Sequence, residues 1–294
     1  MDPVALFQNC LQVDPNVSVA LAAIQTLMEL IKVSKAVTLA ELRHNLKTAI
    51  EELTVNAEQS VTSISSGCEL FLRFITLTAL DHTDFEECKN VLVERGALFL
   101  RKAESSRKKI ASISQQYIRD GSTVLTHSSS RCVLNVLKEA RDKNKHLTIY
   151  ITESMPDKQG WKMKKNLEDL GIQSTVILDS AVGYIMERVD LILVGAEAVV
   201  ESGGIINKIG TCQLTVMAKA MNKPVYVAAE SFKFLREYPL NQKEVPNKFK
   251  YMESISKGHP LVDYTPPAYL ALMFTDLGIL TPSAVSDELI KLYL

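Results

Sequence analysis

The sequence lacks an excess of charge of either sign, since 33 lysines and arginines stand against 34 aspartates and glutamates among 294 residues. Proteins that bind nucleic acid directly usually carry a strongly basic surface, because phosphate neutralisation supplies much of their affinity. We therefore expect no direct contact with nucleic acid, and any role connected with RNA would act through other proteins. The hydrophobic content of 47% is ample for a buried core.

Long apolar runs are also missing. No stretch approaches the roughly 20 apolar residues that a helix needs to cross a bilayer. The amino terminus lacks the basic start and apolar segment that mark a signal peptide. These absences predict a soluble protein of the cytosol that has no membrane partner.

Clustered metal ligands and cysteine pairs are absent from the pattern. The five histidines are dispersed, and no two cysteines have Cys-x-x-Cys spacing. An odd number of scattered cysteines in a cytosolic protein indicates buried, reduced thiols and neither a metal nor a cofactor. These cysteines are Cys10, Cys68, Cys88, Cys132 and Cys212.

What the first part of the chain does have is helical periodicity. Apolar residues recur at spacings of three and four over residues 17–31, which predicts one packed helix face. Thr38 followed by Glu41 is the capping-box pattern, and it predicts a helix that ends near Asn56. A long helical segment over residues 85–118 carries a basic run that predicts a solvated face. The basic run consists of Arg101, Lys102, Arg107, Lys108 and Lys109.

After Asp120 and Gly121 the pattern changes to short β-branched runs that alternate with helical stretches. This alternation is typical of a parallel sheet with crossover helices, so we predict an α/β protein in which a helical bundle precedes a Rossmann-like domain. The domains are expected at 1–118 and 119–294, the second carrying the ligand pocket. Strands are expected at 123–126, 147–152, 174–178, 191–194, 224–228 and 269–274, connecting helices at 132–143, 161–170, 181–188 and 211–221, an irregular segment at 241–260, and a last helix at 283–292.

Two loops of this domain have the composition of an anion site. Ser128, Ser129, Ser130 and Arg131 follow the first strand and would place hydroxyls, a guanidinium and helix amides around a phosphate. The alternative is ordinary N-capping of a helix by serine.

A second candidate anion site lies in residues 202–211. Gly203, Gly204 and Gly210 give backbone freedom, while Asn207 and Lys208 supply an amide and an ammonium. A glycine-rich turn before a helix is the alternative. Neither loop has the dinucleotide or P-loop pattern, and Ser128 lacks a nucleophile elbow, so nucleotide binding and serine hydrolysis are disfavoured. His127 is as easily explained as a structural hydrogen-bonding residue.

Five motifs occur in order along this domain: Thr126-His127-Ser128, Glu153-Ser154-Met155-Pro156, Asp179-Ser180-Ala181, Val194-Gly195-Ala196-Glu197 and Asn207-Lys208-Ile209-Gly210-Thr211. In order and spacing they resemble the family that unites the alpha, beta and delta subunits of initiation factor 2B with methylthioribose-1-phosphate and ribose-1,5-bisphosphate isomerases. The stretches 222–234 and 274–290 resemble the alpha members. The resemblance covers nearly the whole chain.

The resemblance implies that the catalytic residues of the isomerases are replaced here. Those enzymes place a cysteine after the first Thr-His and an aspartate after Gly-Ala, where this chain has Ser128 and Glu197. A serine hydroxyl without a base cannot exchange protons near neutral pH as a thiol can. The longer Glu197 side chain would also displace its carboxylate. We therefore expect a pocket that binds a sugar phosphate without turnover, through Ser130, Arg131, Ser154, Glu197, Asn207 and Lys208.

The resemblance also implies protein partners. It predicts a homodimer, formed through the α/β domain, that bridges the beta, delta, gamma and epsilon subunits of initiation factor 2B. The dimer is expected to help to sense the phosphorylated alpha subunit of initiation factor 2. Nucleotide exchange would be catalysed by another subunit. Two alternatives stay open at this point. One is an active aldose–ketose isomerase that uses Ser128 and Glu197, and the other is a metabolite sensor without protein partners.

Overall fold

The computed structural model describes residues 2–13, 17–55, 61–76, 85–251 and 259–293. The chain divides into two compact units, Met1–Ser105 with Ile290–Leu294, and Ser106–Leu289. No helix in the described ranges is both long and apolar enough to cross a membrane. All five cysteines are free thiols; Cys68, Cys88 and Cys132 are buried as predicted, whereas Cys10 and Cys212 are only partly buried.

The first unit is helical, as the periodicity predicted. Ser18 caps the second helix by accepting a hydrogen bond from the Leu21 amide at 3.0 Å. The capping box is present, because Thr38 accepts from the Glu41 amide at 3.2 Å, while the Glu41 carboxylate accepts from the Val37 amide. Helices α1 to α5 span Pro3–Val13, Val19–Val33, Leu39–Val55, Val61–Thr76 and Phe85–Ser114. The predicted end near Asn56 lies just outside the described residues.

Helix α5 marks a difference from the predicted domain boundary after residue 118. The second unit already begins at Ser106, because Ile110 and Ala111 in the last turns of α5 belong to the α/β core. The predicted solvated basic face is right for four residues but wrong for Arg107, which is 16% exposed and paired with a carboxylate. Hydrophobic periodicity identifies which face of a helix is solvated. It does not show that one residue on that face, Arg107, has a carboxylate partner far away in the sequence.

The second unit is built on a seven-stranded sheet. Its strands run parallel, except that the strand nearest the carboxyl terminus, β11, is antiparallel to its neighbour β10. The order across the sheet is β11-β10-β7-β4-β1-β2-β3. Strands β1, β4 and β7 lie in its middle, and their residues are almost completely buried because helices cover parallel sheets on both faces. The sheet strands are β1 Thr123–His127, β2 Thr148–Thr152, β3 Thr175–Ile177, β4 Leu191–Val194, β7 Val225–Ala228, β10 Leu272–Thr275 and β11 Gly278–Leu280.

A second, four-stranded sheet was not predicted. Its order is β8-β5-β6-β9, and its central pair β5–β6 is antiparallel. The glycines between these two strands had suggested a turn, and they do form the turn, but the residues on either side of it pair as strands. The strands are β5 Ala198–Val200, β6 Ile205–Lys208, β8 Phe234–Leu235 and β9 Val262–Thr265.

Three of the four predicted connecting helices are present at the expected places. The predicted helix at 181–188 is only a single α-helical turn, Val182–Ile185, which is followed by a 3-10 helix at Met186–Arg188. The predicted last helix is α11, which begins after a 3-10 turn at Pro282–Ala284. Residues 241–251 of the predicted irregular segment contain only the short helix α10, while part of the remainder lies outside the described residues. The helices are α6 Arg131–Asp142, α7 Gln159–Asp169, α8 Val182–Ile185, α9 Thr211–Ala220, α10 Asn247–Lys250 and α11 Val285–Tyr293.

Candidate functional site

The carboxyl ends of β1, β2 and β4 converge with the end of β6, and the polar motifs lie in the loops that follow them. Strand ends of an open parallel sheet are the usual place for a ligand, because neighbouring loops leave a crevice there. The structure links the predicted residues in two groups. Ser130 lies against the loop before Glu197, and Ser154 is connected to Lys208 through a residue that the sequence had not indicated.

His127 fastens the end of β1 to two other segments. Its Nδ1 lies 2.6 Å from Thr152 Oγ1, and its Nε2 lies 2.9 Å from the Ile209 carbonyl oxygen. A carbonyl can only accept, so Nε2 carries the proton and Nδ1 accepts from the Thr152 hydroxyl. Burial lowers the pKa of His127, although nearby carboxylates oppose this shift. His127 is therefore a neutral structural link with both nitrogens engaged.

The loop after His127 leads into helix α6. Ser128 has a φ of 60° and is 2% exposed, and its Oγ has no hydrogen-bond partner among the described residues. Ser130 caps α6 by accepting a hydrogen bond from the Val133 amide at 3.4 Å, as the alternative of ordinary N-capping by serine predicted. A Cβ added at Gly195 would lie 2.4 Å from Ser130 Oγ, so the β4–β5 loop touches the start of α6 where only glycine fits.

The loop after β2 is held by carboxylates. Asp179 accepts hydrogen bonds from the amides of Ser154 at 2.9 Å and Met155 at 2.7 Å, which stabilises the positive φ of Ser154. The Ser154 hydroxyl donates to Asp157 Oδ1 at 3.4 Å. Asp157 Oδ2 in turn lies 3.2 Å from Lys208 Nζ. Asp157 thus joins two predicted ligand residues, and no motif had marked it.

The end of β6 presents Asn207 and Lys208 in a fixed arrangement. Asn207 Nδ2 donates to Thr211 Oγ1 at 3.0 Å, and the Thr211 hydroxyl donates to the Lys208 carbonyl at 2.6 Å. Burial alone would lower the pKa of Lys208, but the carboxylates of Glu197 and Asp157 outweigh burial, so its pKa is raised. The ammonium is therefore charged and already flanked by two carboxylates.

A buried ionic cluster made of Arg107, Glu230 and Lys233 lies behind the Glu197 loop. Glu230 is 1% exposed; its carboxylate lies 2.8 Å from Arg107 Nε and 3.1 Å from Lys233 Nζ. Burial opposes its ionisation, yet the two cations outweigh burial and hold the pKa of Glu230 far below its ordinary value. Lys233 also donates to the Ala196 carbonyl at 2.8 Å, which fixes the residue before Glu197.

The thiol of Cys132 borders this ionic cluster. Burial raises the pKa of Cys132 well above its ordinary value, and the charge of Glu230 raises it further. The thiol therefore stays protonated near neutral pH and is a poor nucleophile. Within the described ranges, no group of three or more histidine, cysteine, aspartate or glutamate side chains is placed to hold a metal ion.

Asp263 on β9 holds the start of helix α9. Its Oδ2 accepts from the Gly210 amide at 2.8 Å and the Cys212 amide at 3.0 Å. Burial raises the pKa of Asp263 to about 7, although these two amides favour the charged form. Its other oxygen has no partner among the described residues. No local pattern indicated this role, because β9 was not predicted.

Together these features define a Rossmann-like α/β protein with polar residues gathered at the carboxyl ends of its parallel strands, where open sheets usually bind a ligand. The comparison with known proteins is specific about the family. The chain belongs to the Initiation factor 2 subunit family, whose sequence profile matches residues 12–282.

Several relatives cover most of the chain. It is 44% identical to the translation initiation factor eIF2B subunit alpha of Dictyostelium discoideum, covering 99% of this chain and 96% of that protein. It is 41% identical to the subunit of the same name from Caenorhabditis elegans, covering 99% and 98%. A ribose 1,5-bisphosphate isomerase from Archaeoglobus fulgidus is 31% identical over 79% of this chain and 77% of the enzyme.

Among solved structures, the translation initiation factor eIF-2B of Pyrococcus horikoshii OT3 superposes with a TM-score of 0.74 at 26% identity. The match covers 95% of this chain and 97% of that one. The predicted family and fold class are thereby confirmed. The ligand-binding roles of the six predicted residues stay predictions.

We predict that the Asp263→Asn substitution changes how stability depends on pH. The folded-state pKa of about 7 lies above the ordinary value near 3.9, so the folded protein binds this proton more tightly than the unfolded chain. The contribution of Asp263 to stability is therefore present at low pH and is lost as pH rises from about 4 through 7. Asparagine can still accept from both amides but does not titrate.

The measurement is urea unfolding of both proteins at several pH values between about 5 and 8. The free energy of unfolding of the variant minus that of the native protein should increase by about 2 kcal/mol over this interval. Other groups titrate in both proteins and cancel from the difference. A difference that is constant with pH would contradict the assignment.

Proposed function

We propose that this chain is a non-catalytic regulatory subunit of the guanine-nucleotide exchange factor for translation initiation factor 2. The relatives named as eIF2B subunit alpha support this role, because identities of 44% and 41% extend over 99% of the chain in each case. Family membership alone would not separate a subunit from an isomerase. The site supplies the argument for that distinction.

The observation that carries the non-catalytic assignment is the state of Ser128. It stands where the related isomerases are expected to have a catalytic cysteine, and its hydroxyl has no base against it among the described residues. The adjacent His127 has both ring nitrogens engaged. The buried Cys132 thiol is held protonated. Among these three described side chains, none is placed to exchange a proton as the cysteine of an isomerase would.

The pocket itself keeps the features that suit a sugar phosphate. The start of α6 offers helix amides, the Ser130 hydroxyl and the half-buried Arg131, which together favour an anion. Ser154, Glu197, Asn207 and Lys208 supply hydroxyl, carboxylate, amide and ammonium groups, which suit the hydroxyls of a sugar. The ligand acts as a regulatory metabolite, and it leaves the site without having been chemically changed.

The partners follow from the family. The chain forms a homodimer through its α/β unit and bridges two sets of the beta, delta, gamma and epsilon subunits of initiation factor 2B. The helical unit contributes to the surface that senses the phosphorylated alpha subunit of initiation factor 2. Another subunit catalyses exchange, and the assembly acts in the cytosol.

We predict binding without turnover when the purified chain is mixed with ribose 1-phosphate, ribose 5-phosphate and other sugar phosphates. Phosphorus NMR reports both events, since binding broadens or shifts the resonance of the phosphate and isomerisation creates a new ketose resonance. We expect the first without the second. A new ketose resonance that grows with protein concentration would instead support the isomerase activity for which the Archaeoglobus relative is named.

The Lys208→Ala substitution should weaken sugar-phosphate binding about tenfold or more, because a charged hydrogen bond is lost and two carboxylates remain unbalanced. The matched control is Lys219→Ala, which removes the same charge from an exposed position on α9. Isothermal titration calorimetry of the three proteins gives the comparison. Equal affinities for the native protein and the Lys208 variant would remove Lys208 from the site.

We expect the purified chain to sediment as a species of two chains at micromolar concentrations. Adding the beta and delta subunits should shift this species to a larger complex that contains two copies of the chain. Analytical ultracentrifugation measures both steps. A single-chain species throughout, or a dimer that ignores the added subunits, would contradict the proposed place in the assembly.

A further inference from the structure

The outer side of helix α7 exposes a large aromatic ring. Trp161 is the only tryptophan of the chain, and it is 52% exposed. Lys164 Nζ lies 5.7 Å from the centroid of the indole ring, a cation–π contact that orients the ring. Tryptophan is among the residues most enriched in the energetic centres of protein interfaces. An oriented, accessible tryptophan on a helix is therefore suited to contact a partner.

Three lysines lie around Trp161. Lys158 is the residue before α7, while Lys162 and Lys165 follow Trp161, and residues three or four apart are neighbours on one side of a helix. All three lysines are exposed, and none of them has an ion pair in the described part of the chain. Together with Trp161 they form a surface that we call the α7 face. Its ammonium groups are free to bind carboxylates from outside the chain.

Lysines at this end of a helix are unfavourable for stability. The amino end of a helix has a positive dipole and favours acidic side chains, yet the first turn of α7 contains none. Lys158 occupies the N-cap position with a φ of 53°, and its side chain makes no capping hydrogen bond. Asparagine, aspartate or glycine would suit this backbone better. Such a local exception to the rules of stability is expected where residues serve binding.

The start of α7 is held firmly on the sheet. The Gly160 amide donates to the Glu153 carbonyl oxygen at 3.1 Å. A Cβ added at Gly160 would lie 2.0 Å from the Thr152 carbonyl oxygen, so only glycine lets α7 approach the end of β2 this closely. Met163 and Leu167, on the opposite side of α7, are buried in the core of the second unit. A surface fixed in this way loses little conformational entropy when a partner binds.

We propose that the α7 face is a docking surface for an acidic segment of a partner protein. The three ammonium groups bind carboxylates of the segment, and Trp161 packs against an apolar side chain between them. Nucleic acid fits this surface less well, because the same helix ends in the exposed carboxylates of Glu168 and Asp169, which repel a continuous phosphate backbone. The docking surface does not depend on the proposed sugar-phosphate pocket.

Trp161 provides the measurement. Because it is the only tryptophan, the tryptophan fluorescence of the purified chain reports on the α7 face alone. The chain is titrated with a synthetic peptide of glutamate, aspartate and leucine. We expect the emission to move to shorter wavelengths and to saturate, since packing removes the ring from water. A counterpart peptide with glutamine and asparagine in place of the acidic residues should produce no shift.

A double variant, Lys162→Glu with Lys165→Glu, should bind the acidic peptide at least about tenfold more weakly, because two attractive contacts become repulsive. The control is Lys138→Glu with Lys219→Glu, which reverses the same number of charges at exposed positions on α6 and α9 and should bind as the native chain does. A glutamate near the amino end of α7 suits the helix dipole, so the first variant should resist urea at least as well as the native chain. Its loss of binding is then separate from unfolding.

The absence of a saturable shift with the acidic peptide would overturn the inference. An equal loss of affinity in both double variants would do the same, because it would indicate a general attraction between opposite charges. Tighter binding of single-stranded oligouridylate than of the peptide would assign the α7 face to nucleic acid. A shift that appears as the concentration of the chain is raised, without peptide, would assign it to a second copy. Either result would also overturn the proposal of an acidic protein partner.

Discussion

The arrangement of the site depends on the neutralisation of one carboxylate, Glu230, which is almost completely removed from water. An unpaired buried carboxylate would cost several kcal/mol, and the geometry of Arg107 and Lys233 around it is what makes its ionisation possible. The same lysine holds the Ala196 carbonyl and so fixes the loop that carries Glu197. The need to neutralise Glu230 in the interior therefore helps to fix the position of the loop that carries Glu197.

The residues around Ser128 show why a shared fold does not by itself imply a shared activity. The chain is 31% identical to a protein that is named as an isomerase. Among the described residues, however, the Ser128 hydroxyl has no hydrogen-bond partner. Both ring nitrogens of His127 are engaged in linking β1 to β2 and to the β6–α9 loop. His127, a residue type that often acts in catalysis, therefore has a structural role here.

The sequence predicted those parts of the structure that have a local signature. Strands such as β1 and β4 are short runs of β-branched and apolar residues, and their position in a parallel sheet follows from the alternation of such runs with helical stretches. The strands of the second sheet are only two to four residues long, so that no period can develop. Apart from the β5–β6 pair, they pair with segments far away in sequence. The motifs indicated the loops that carry the candidate site residues, because the carboxyl ends of parallel strands lie at the same edge of the sheet.

The connections between those loops could not be predicted. Asp157 has no distinguishing spacing, and its role arises only because the turn after β2 comes close to the end of β6. The role of Asp263 depends on a strand that was missed and on burial by surrounding segments, which also sets its pKa. Arg107 was assigned to solvent because its partner lies 123 positions away in the chain. The contacts of Asp157, Asp263 and Arg107 are therefore properties of the tertiary structure.

The contact between Gly195 and Ser130 has a consequence for how this site can change during evolution. Any side chain at 195 would overlap the serine hydroxyl, and relieving that overlap by a glycine at 130 would remove the cap of α6. Each of these changes alone therefore carries a structural cost. The close contact at 195 and the cap at 130 constrain each other, and together they fix the distance between the β4–β5 loop and the start of α6.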